Sequence, residues 1–303
     1  MMASPRPILA LVLRLLAILA LSTMVVFVKL AGEEGIHILE VMFWRQFVTV
    51  PMLLGYLAWN RSFETLRTTR LLAHFRRSVL GSIAMILTFS AAMMLPLAEA
   101  QTLNFTAPIF VTLLSIVRLR DTIGPWRWFA LAVGLAGVVV MTGAGHSHIP
   151  PLGMAVGLGA AFMIALLTIL IKDLNRTDNP VGIVFYFAAI SAAMLGVAMP
   201  FVGQAHDPYG WMLLMALGVI GSFGQLLVTI SLRFGSPASV IVMDYSGLIW
   251  ATLFGWLVWN ILPTTETWLG APLIIGAGLI IAWREHSLRR AAAEAEVHAM
   301  IRP

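Results

Sequence analysis

Runs of apolar residues long enough to cross a bilayer follow one another along the whole chain, and nothing limits its fold more. A spanning helix needs about 20 such residues at a rise of about 1.5 Å each. Ten segments qualify: 8–30, 38–59, 77–95, 99–118, 125–144, 151–172, 181–202, 209–232, 237–260 and 267–284. Turn residues and breakers mark the joints, among them Gly32, Pro96, Gly124–Pro125, Pro150–Pro151, Asn179–Pro180, Pro208, Gly235–Ser236–Pro237 and Pro263. The joints are short, so no separate soluble domain fits between them. Of the 303 residues, 60% are hydrophobic and 11% charged. Soluble domains hold roughly 45–50% and 25%, so the apolar excess must face lipid. The first span opens with Arg6 and Arg14, but its apolar stretch from Leu15 to Leu30 outruns a signal-peptide core. It is read as an uncleaved helix.

The net charge of +5 stops looking like a nucleic-acid signature once the charges are placed on the chain. Of 19 basic residues, 17 fall in alternate connections or at the span ends beside them: Arg6 and Arg14, the group from Arg61 to Arg77, Arg118 to Arg127, Lys172 and Arg176, Arg233, and the tail from Arg284. The intervening connections hold Lys29 with Glu33, Glu34, Glu40, Asp207 and Glu266, and Arg45 lies inside a span. The positive-inside rule then puts both termini in the cytoplasm. Trp59, Trp126, Trp128 and Trp283 fall at inner span ends, and Trp211, Trp259 and Trp268 at outer ends, as an aromatic belt requires. Trp44, Trp250 and Trp256 sit deeper.

A shift of 139 lays residues 80–140 over 219–279 and pairs Pro108 with Gly247 and Gly137 with Gly276. A shift of 143 pairs Lys29 with Lys172 and Phe43–Trp44 with Tyr186–Phe187. Each half then carries five spans, over 1–146 and 147–286, followed by a cytoplasmic tail, 287–303. An odd number per half forces the second to insert upside down. The expected fold is an all-α membrane protein of ten transmembrane helices in two inverted five-helix repeats, with a site near the midplane between them.

The stretches "HILEVMFWRQF" in span 2, "RDTIGPWRWFALAVGLAGVVV" at span 5 and "GLIWATLFGWLVWN" in span 9, on this 5+5 plan, resemble the drug/metabolite transporter superfamily, in particular its EamA-type members. The resemblance covers nearly the whole chain. It implies movement of small metabolites across the bacterial inner membrane through a cavity between the repeats, with the amino acid exporters, including the aromatic amino acid exporter, as the nearest group. Some members take up riboflavin or S-adenosylmethionine, which leaves direction open. Asp121 and Asn260 stand where members often carry Glu, so Asp121 is given no functional weight.

Ionisable groups inside a bilayer cost several kcal/mol by most estimates and face a cavity or a partner. Lys29, Glu40 and Arg45 cluster toward the outer ends of spans 1 and 2. They are read either as a gate or ligand set for an amphoteric substrate, or as an Arg45–Glu40 pair with Lys29 snorkelling to the interface. Asp244, about 10 Å into span 9, is either a coupling or amine-binding group or a carboxylate reached by water or paired with Arg233. Span 4 carries Gln101, Asn104, Pro108, Thr112 and Ser115 at helical spacing, a polar face that must look inward. Ser239, Met243, Ser246 and Trp250 form the matching stripe of span 9, while Phe105 faces away. Pro108 and Gly247 are candidate bends. Gln225 in span 8 and Tyr186 in span 7 complete the candidate lining. Gly153–Gly157, Gly218–Gly221 and Gly276–Gly278 read as close helix contacts.

Other chemistry finds no support. The chain has no cysteine, which removes thiol nucleophiles, disulfides and iron–sulfur clusters. His146 and His148 lie in a connection with no metal-ligand spacing, and neither HExxH nor GxxxxGK[ST] occurs. No cofactor or metal is expected. The leading reading is a secondary transporter exporting amino acids or similar small metabolites, its partners the substrate and the lipid, its oligomeric state open and compatible with a monomer. An uptake carrier is the alternative within the class. An intramembrane enzyme lacks a nucleophile–base pair, and a lipid flippase would show a lipid-open groove with a polar floor.

Overall fold

The computed structural model describes residues 7–119, 124–141, 150–234 and 241–301. Among them the regular structure is helical, without strands. Four helices stand for the first three and the sixth expected spans: α1 (Pro7–Glu33), α2 (Ile38–Trp59), α3 (Leu71–Met94) and α7 (Pro151–Leu174). Span 4 divides into α4 (Leu97–Asn104) and α5 (Ala107–Leu119). Span 5 is α6 (Pro125–Met141), and span 7 divides into α8 (Pro180–Gly196) and α9 (Met199–Val202). α10 (Pro208–Phe234) is followed by a 3-10 turn (Ile241–Tyr245), α11 (Ser246–Trp259) and α12 (Thr265–Ile301). Among the described residues six helices are long and apolar enough to cross a membrane, and Trp128–Met141 and Pro180–Gly196 are shorter apolar helices. His146, His148, Asp121, Ser239 and the Gly235–Pro237 joint lie outside the described residues, as does the side chain of Ser115.

The departures from unbroken spans have local causes. Pro108 has no N–H to offer the carbonyl of Asn104, so the span-4 helix cannot run through and restarts at Ala107. Pro200 interrupts span 7 in the same way, two residues into α9. α3 begins six residues before the expected start, because Leu71 to Phe75 continue the helix ahead of Arg76 and Arg77. Capping sets other ends: Asn179 Oδ1 accepts the Val181 N–H at 3.0 Å with Pro180 at the first helical position, and His37 Nδ1 accepts from Leu39. Asn260 closes α11 in the left-handed region at φ 54°, which asparagine tolerates better than most residues. That conformation gives Asn260 a structural role.

The helix ends sort into two groups. At one end Trp259 Nε1 donates to Glu33 (2.6 Å), Glu40 meets His206 (2.8 Å), and Glu99 accepts from Thr264 and Thr267. At the other, Arg70 pairs with Asp173 (2.6 Å), His74 with Asp178 (3.2 Å), and Arg14 with Asp244. Arg14 and Arg70 thus mark the second end, the basic end, and Glu33, Glu40 and Glu99 the first, the acidic end.

α1 packs on α10, α3 on α7, α6 on α12, α2 on α8 and α4 on α11. α6 and α12 approach closely enough that a Cβ on Gly270 would lie 2.6 Å from the Gly137 carbonyl oxygen. Gly153, Gly157, Gly218, Gly221 and Gly278 likewise accept neighbouring side chains, whereas Gly276 has nothing within 4 Å and is no packing glycine. Large apolar side chains turn outward, Phe201 at 86% exposed and Val139 at 60%, as a lipid-facing surface requires.

Candidate functional site

Three groups of polar side chains lie within the bundle. At the basic end Arg14 grips Asp244 with both prongs, Nε to Oδ1 and Nη2 to Oδ2, each at 2.6 Å. The bidentate fork ties α1 to the turn that opens α11. Arg14 was not among the partners expected for Asp244; the side chain of Arg233 lies outside the described residues. Beside it span 4 meets span 9: Gln101 Nε2 rests against Gly247, where a Cβ would come within 2.9 Å. Asn104 Oδ1 and Trp250 Nε1, an acceptor and a donor, are both buried without a partner. Met243 lends its carbonyl to the Ser246 hydroxyl (2.6 Å), and Thr112 returns its hydroxyl to Pro108 O. Phe105 does not face away: it is 8% exposed and packs on Tyr245, with ring centroids 5.0 Å apart.

At the acidic end Lys29 donates to the carbonyls of Ala92 (3.2 Å) and Leu95 (2.6 Å), the last of α3, and lies 5.5 Å from the Trp259 ring. It thereby satisfies orphan carbonyls at a helix C-terminus. Lys29 shares a narrow cleft with Glu99, whose carboxylate is fully buried with Oε2 unpartnered. Glu40 does not pair with Arg45. It is 1% exposed and bonded to His206, which packs edge-on against Trp211, itself against Trp44. Lys29, Glu40 and Arg45 therefore have separate partners and do not form one cluster.

The third group sits between α2, α3, α8 and α10. Arg45, Gln46 and Thr49 of α2, Arg77 of α3, Phe187 of α8 and Gln225 of α10 line a partly open cavity of about 40 Å³. The Thr49 hydroxyl lies 2.7 Å from that of Ser222, which holds the α2 wall on α10. Arg45 donates to Gln46 Oε1 (3.1 Å) and to the sulfurs of Met24 and Met85, both 3.2 Å away. The Arg77 guanidinium stacks on Phe187 at 3.8 Å. Tyr186 stays outside, its hydroxyl bonded to Leu66 O (2.7 Å) and its ring against His74.

Sequence reasoning placed Arg45 and Gln225 in the lining and missed Arg77, Gln46, Thr49, Glu99 and Arg14. A signal existed for two of them. Gln46 and Thr49 fall on one face with Arg45, the spacing that was used for span 4. Arg77 was hidden by its neighbour Arg76 and counted among the flanking charges.

A helical bundle with a lipid-facing apolar surface and buried polar groups at its centre defines a polytopic membrane protein. The comparisons supply the family: the chain belongs to the EamA-like transporter family, whose model matches residues 8–143 and 151–283. It is 30% identical to the pseudopaline exporter of Pseudomonas aeruginosa over 275 residues, 88% of this chain and 95% of that protein. It is 27% identical to a riboflavin transporter of Vibrio cholerae, over 80% of this chain and 82% of the relative. An S-adenosylmethionine uptake transporter of Rickettsia felis is also 27% identical, over 89% and 91%. A solved crystal structure shares the fold at a TM-score of 0.61 and 20% identity, covering 92% of this chain and 98% of that one. Members of this family are transporters and not enzymes.

Proposed function

We propose that the chain exports small polar metabolites, amino acids or close relatives of them, by alternating access through the cavity at Arg45, Arg77 and Gln225. The observation that carries this reading is the convergence of polar side chains from α2, α3 and α10 on one cavity, with Gln46 Nε2 and Arg77 Nε and Nη1 buried there without a partner. Such groups are costly in a bilayer unless a solute or water meets them. Two inverted five-helix units, 1–146 and 147–286, with 287–303 as a tail, supply the moving parts. Support comes from the helix pairings. Exchanging each span with the one five places on turns α1–α10 into α7–α3 and returns α2–α8, α4–α11 and α6–α12 to themselves. The breaks of spans 4 and 9, before Pro108 and Gly247, fall at matched positions and serve as hinges. The unpartnered Asn104 and Trp250 offer a second contact along the path, and both termini face the cytoplasm.

Export as the direction rests on the similarity to the pseudopaline exporter. The riboflavin and S-adenosylmethionine relatives favour uptake as the second reading. A lipid flippase gains no support, because the open groove of about 440 Å³ between α2 and α8 is lined by Phe43, Phe47, Val50, Pro51, alanines and Gly196, with no polar floor. Counterflow of radiolabelled amino acids and small metabolites in proteoliposomes tests the reading. Exchange of at least one solute above protein-free vesicles is expected, and none across the panel overturns it.

A further inference from the structure

We infer that Arg45 and Arg77 form a carboxylate clamp, so that the transported solute is an organic anion, or a zwitterion held by its carboxylate. This deepens the transporter reading above and rests on it. Two guanidinium groups border the same cavity, and neither meets a carboxylate among the described residues. Arg45 has one good acceptor, Gln46 Oε1; its other contacts are thioether sulfurs, which accept hydrogen bonds weakly. Arg77 has less. Its Nε and Nη1 are buried without an acceptor, and its flat face is taken by Phe187.

The direction of Arg77 is the telling feature. It lies in the second turn of α3, near the basic end. Helical side chains lean toward the helix N-terminus, which here is also the way to water, and a lone arginine would snorkel there. Instead Nη1 lies against Gly81, four residues deeper: a Cβ at that position would stand 2.6 Å from both Nη1 and the Phe187 ring. The absence of a side chain at Gly81 makes room for a guanidinium turned toward the middle of the bilayer.

Two like charges held beside one cavity inside the bundle, with no carboxylate partner among the described residues, are costly unless an anion joins them. Guanidinium forks match a carboxylate two bonds at a time. The amides of Gln46 and Gln225 stand ready for its neighbouring polar groups. The space of about 40 Å³ suits the carboxylate end of a solute. The rest of such a solute needs the helices to part, as alternating access requires.

Thermal unfolding of the full purified chain in detergent, at constant ionic strength, gives a test independent of transport. The probes are succinate, its uncharged diamide succinamide, inorganic phosphate and chloride. Succinate is expected to raise the midpoint saturably, by several degrees, and succinamide to leave it unchanged. Arg45→Gln and Arg77→Gln should each weaken the succinate response at least tenfold. Gly81→Ala should weaken it with both arginines present. The unliganded Arg77→Gln protein should melt no lower than the parent, because one of two like charges is gone. A structural arginine would behave in the opposite way, and a lower unliganded midpoint overturns the clamp. An equal response to succinamide, an unaltered response in both glutamine variants, or a phosphate or chloride response matching succinate also overturns it. Arginine-dependent succinate binding without any counterflow would leave the clamp standing and sink the transporter reading. Counterflow of solutes that lack a carboxylate, unaffected by Arg77→Gln, would do the reverse.

Discussion

The fork between Arg14 and Asp244 is the strongest polar contact at the basic end, and breaking it should open that end. Both side chains are partly shielded, 13% and 30% exposed. An exposed ion pair contributes about 0–1 kcal/mol, and removing one partner of a fully buried pair costs about 3–5 kcal/mol. Discounted for the water that reaches Asp244, this bidentate pair falls between them, at about 1–2 kcal/mol. If the pair exists only while the basic end is closed, its loss moves the closed-to-open equilibrium about 5- to 30-fold toward open. A single cysteine at position 101, next to Gly247 and deeper than the fork, reports this through its rate of modification by an impermeant thiol reagent added from the basic side. Arg14→Ala and Asp244→Ala should each accelerate labelling by that factor, and Arg14→Asp combined with Asp244→Arg should restore the slow rate. Acceleration under twofold in both single variants, or a charge-reversed double variant as fast as the singles, would refute the latch.

Three further outcomes follow from the packing and charge already described. Gly270→Ala should cost about 1–3 kcal/mol of stability, because its Cβ meets backbone on α6 that cannot yield, while Gly276→Ala, with open space around it, should be neutral or slightly stabilising in the same melts. Burial pushes the Asp178 carboxyl up, but hydrogen bonds from Thr177, Thr68 and His74 outweigh it and hold it below its ordinary 3.8. Stability from a depressed carboxyl is present above the unfolded value and lost as pH falls through the folded one. The midpoint difference between parent and Asp178→Asn should therefore shrink as pH falls below about 4; a difference that grows there would contradict the assignment. Cysteines replacing Thr69 and Gln204 should react with impermeant reagents from opposite faces of the membrane, position 69 from the cytoplasm, and labelling of both from one face would sink the topology.

The all-helical character and six spans were legible because lipid imposes one rule on every outward-facing residue, and apolar length alone reveals it. The break at Asn104 to Ala107 was legible for a similar reason, since Pro108 removes a donor wherever it stands. Partners of the buried charges were not legible. Asp244 is separated by 230 residues from its partner Arg14, a distance over which no helical spacing signals a pair. Glu40 seemed matched to Arg45 on its own helix, yet His206 reaches it from the connection before α10. Arg77 shows the limit most sharply. A positive-inside count treats every arginine near a span end as anchored in water, whereas the direction of this side chain depends on Gly81 and on Phe187 of another helix. Phe105 failed for the converse reason: projecting one straight helix across the break put it on the wrong face, and the kink turns it onto Tyr245.

Passage of solute through the cavity at Arg45, Arg77 and Gln225 can be read at Gln225 itself. The chain has no cysteine of its own, so Gln225→Cys gives a single reporter on the cavity wall. In proteoliposomes that retain counterflow, an impermeant thiol reagent should modify it from either face of the membrane, and a saturating transported solute should slow both reactions. A cysteine at 225 that reacts from neither face, or whose reaction no transported solute slows while counterflow continues at the parent rate, would place the pathway elsewhere.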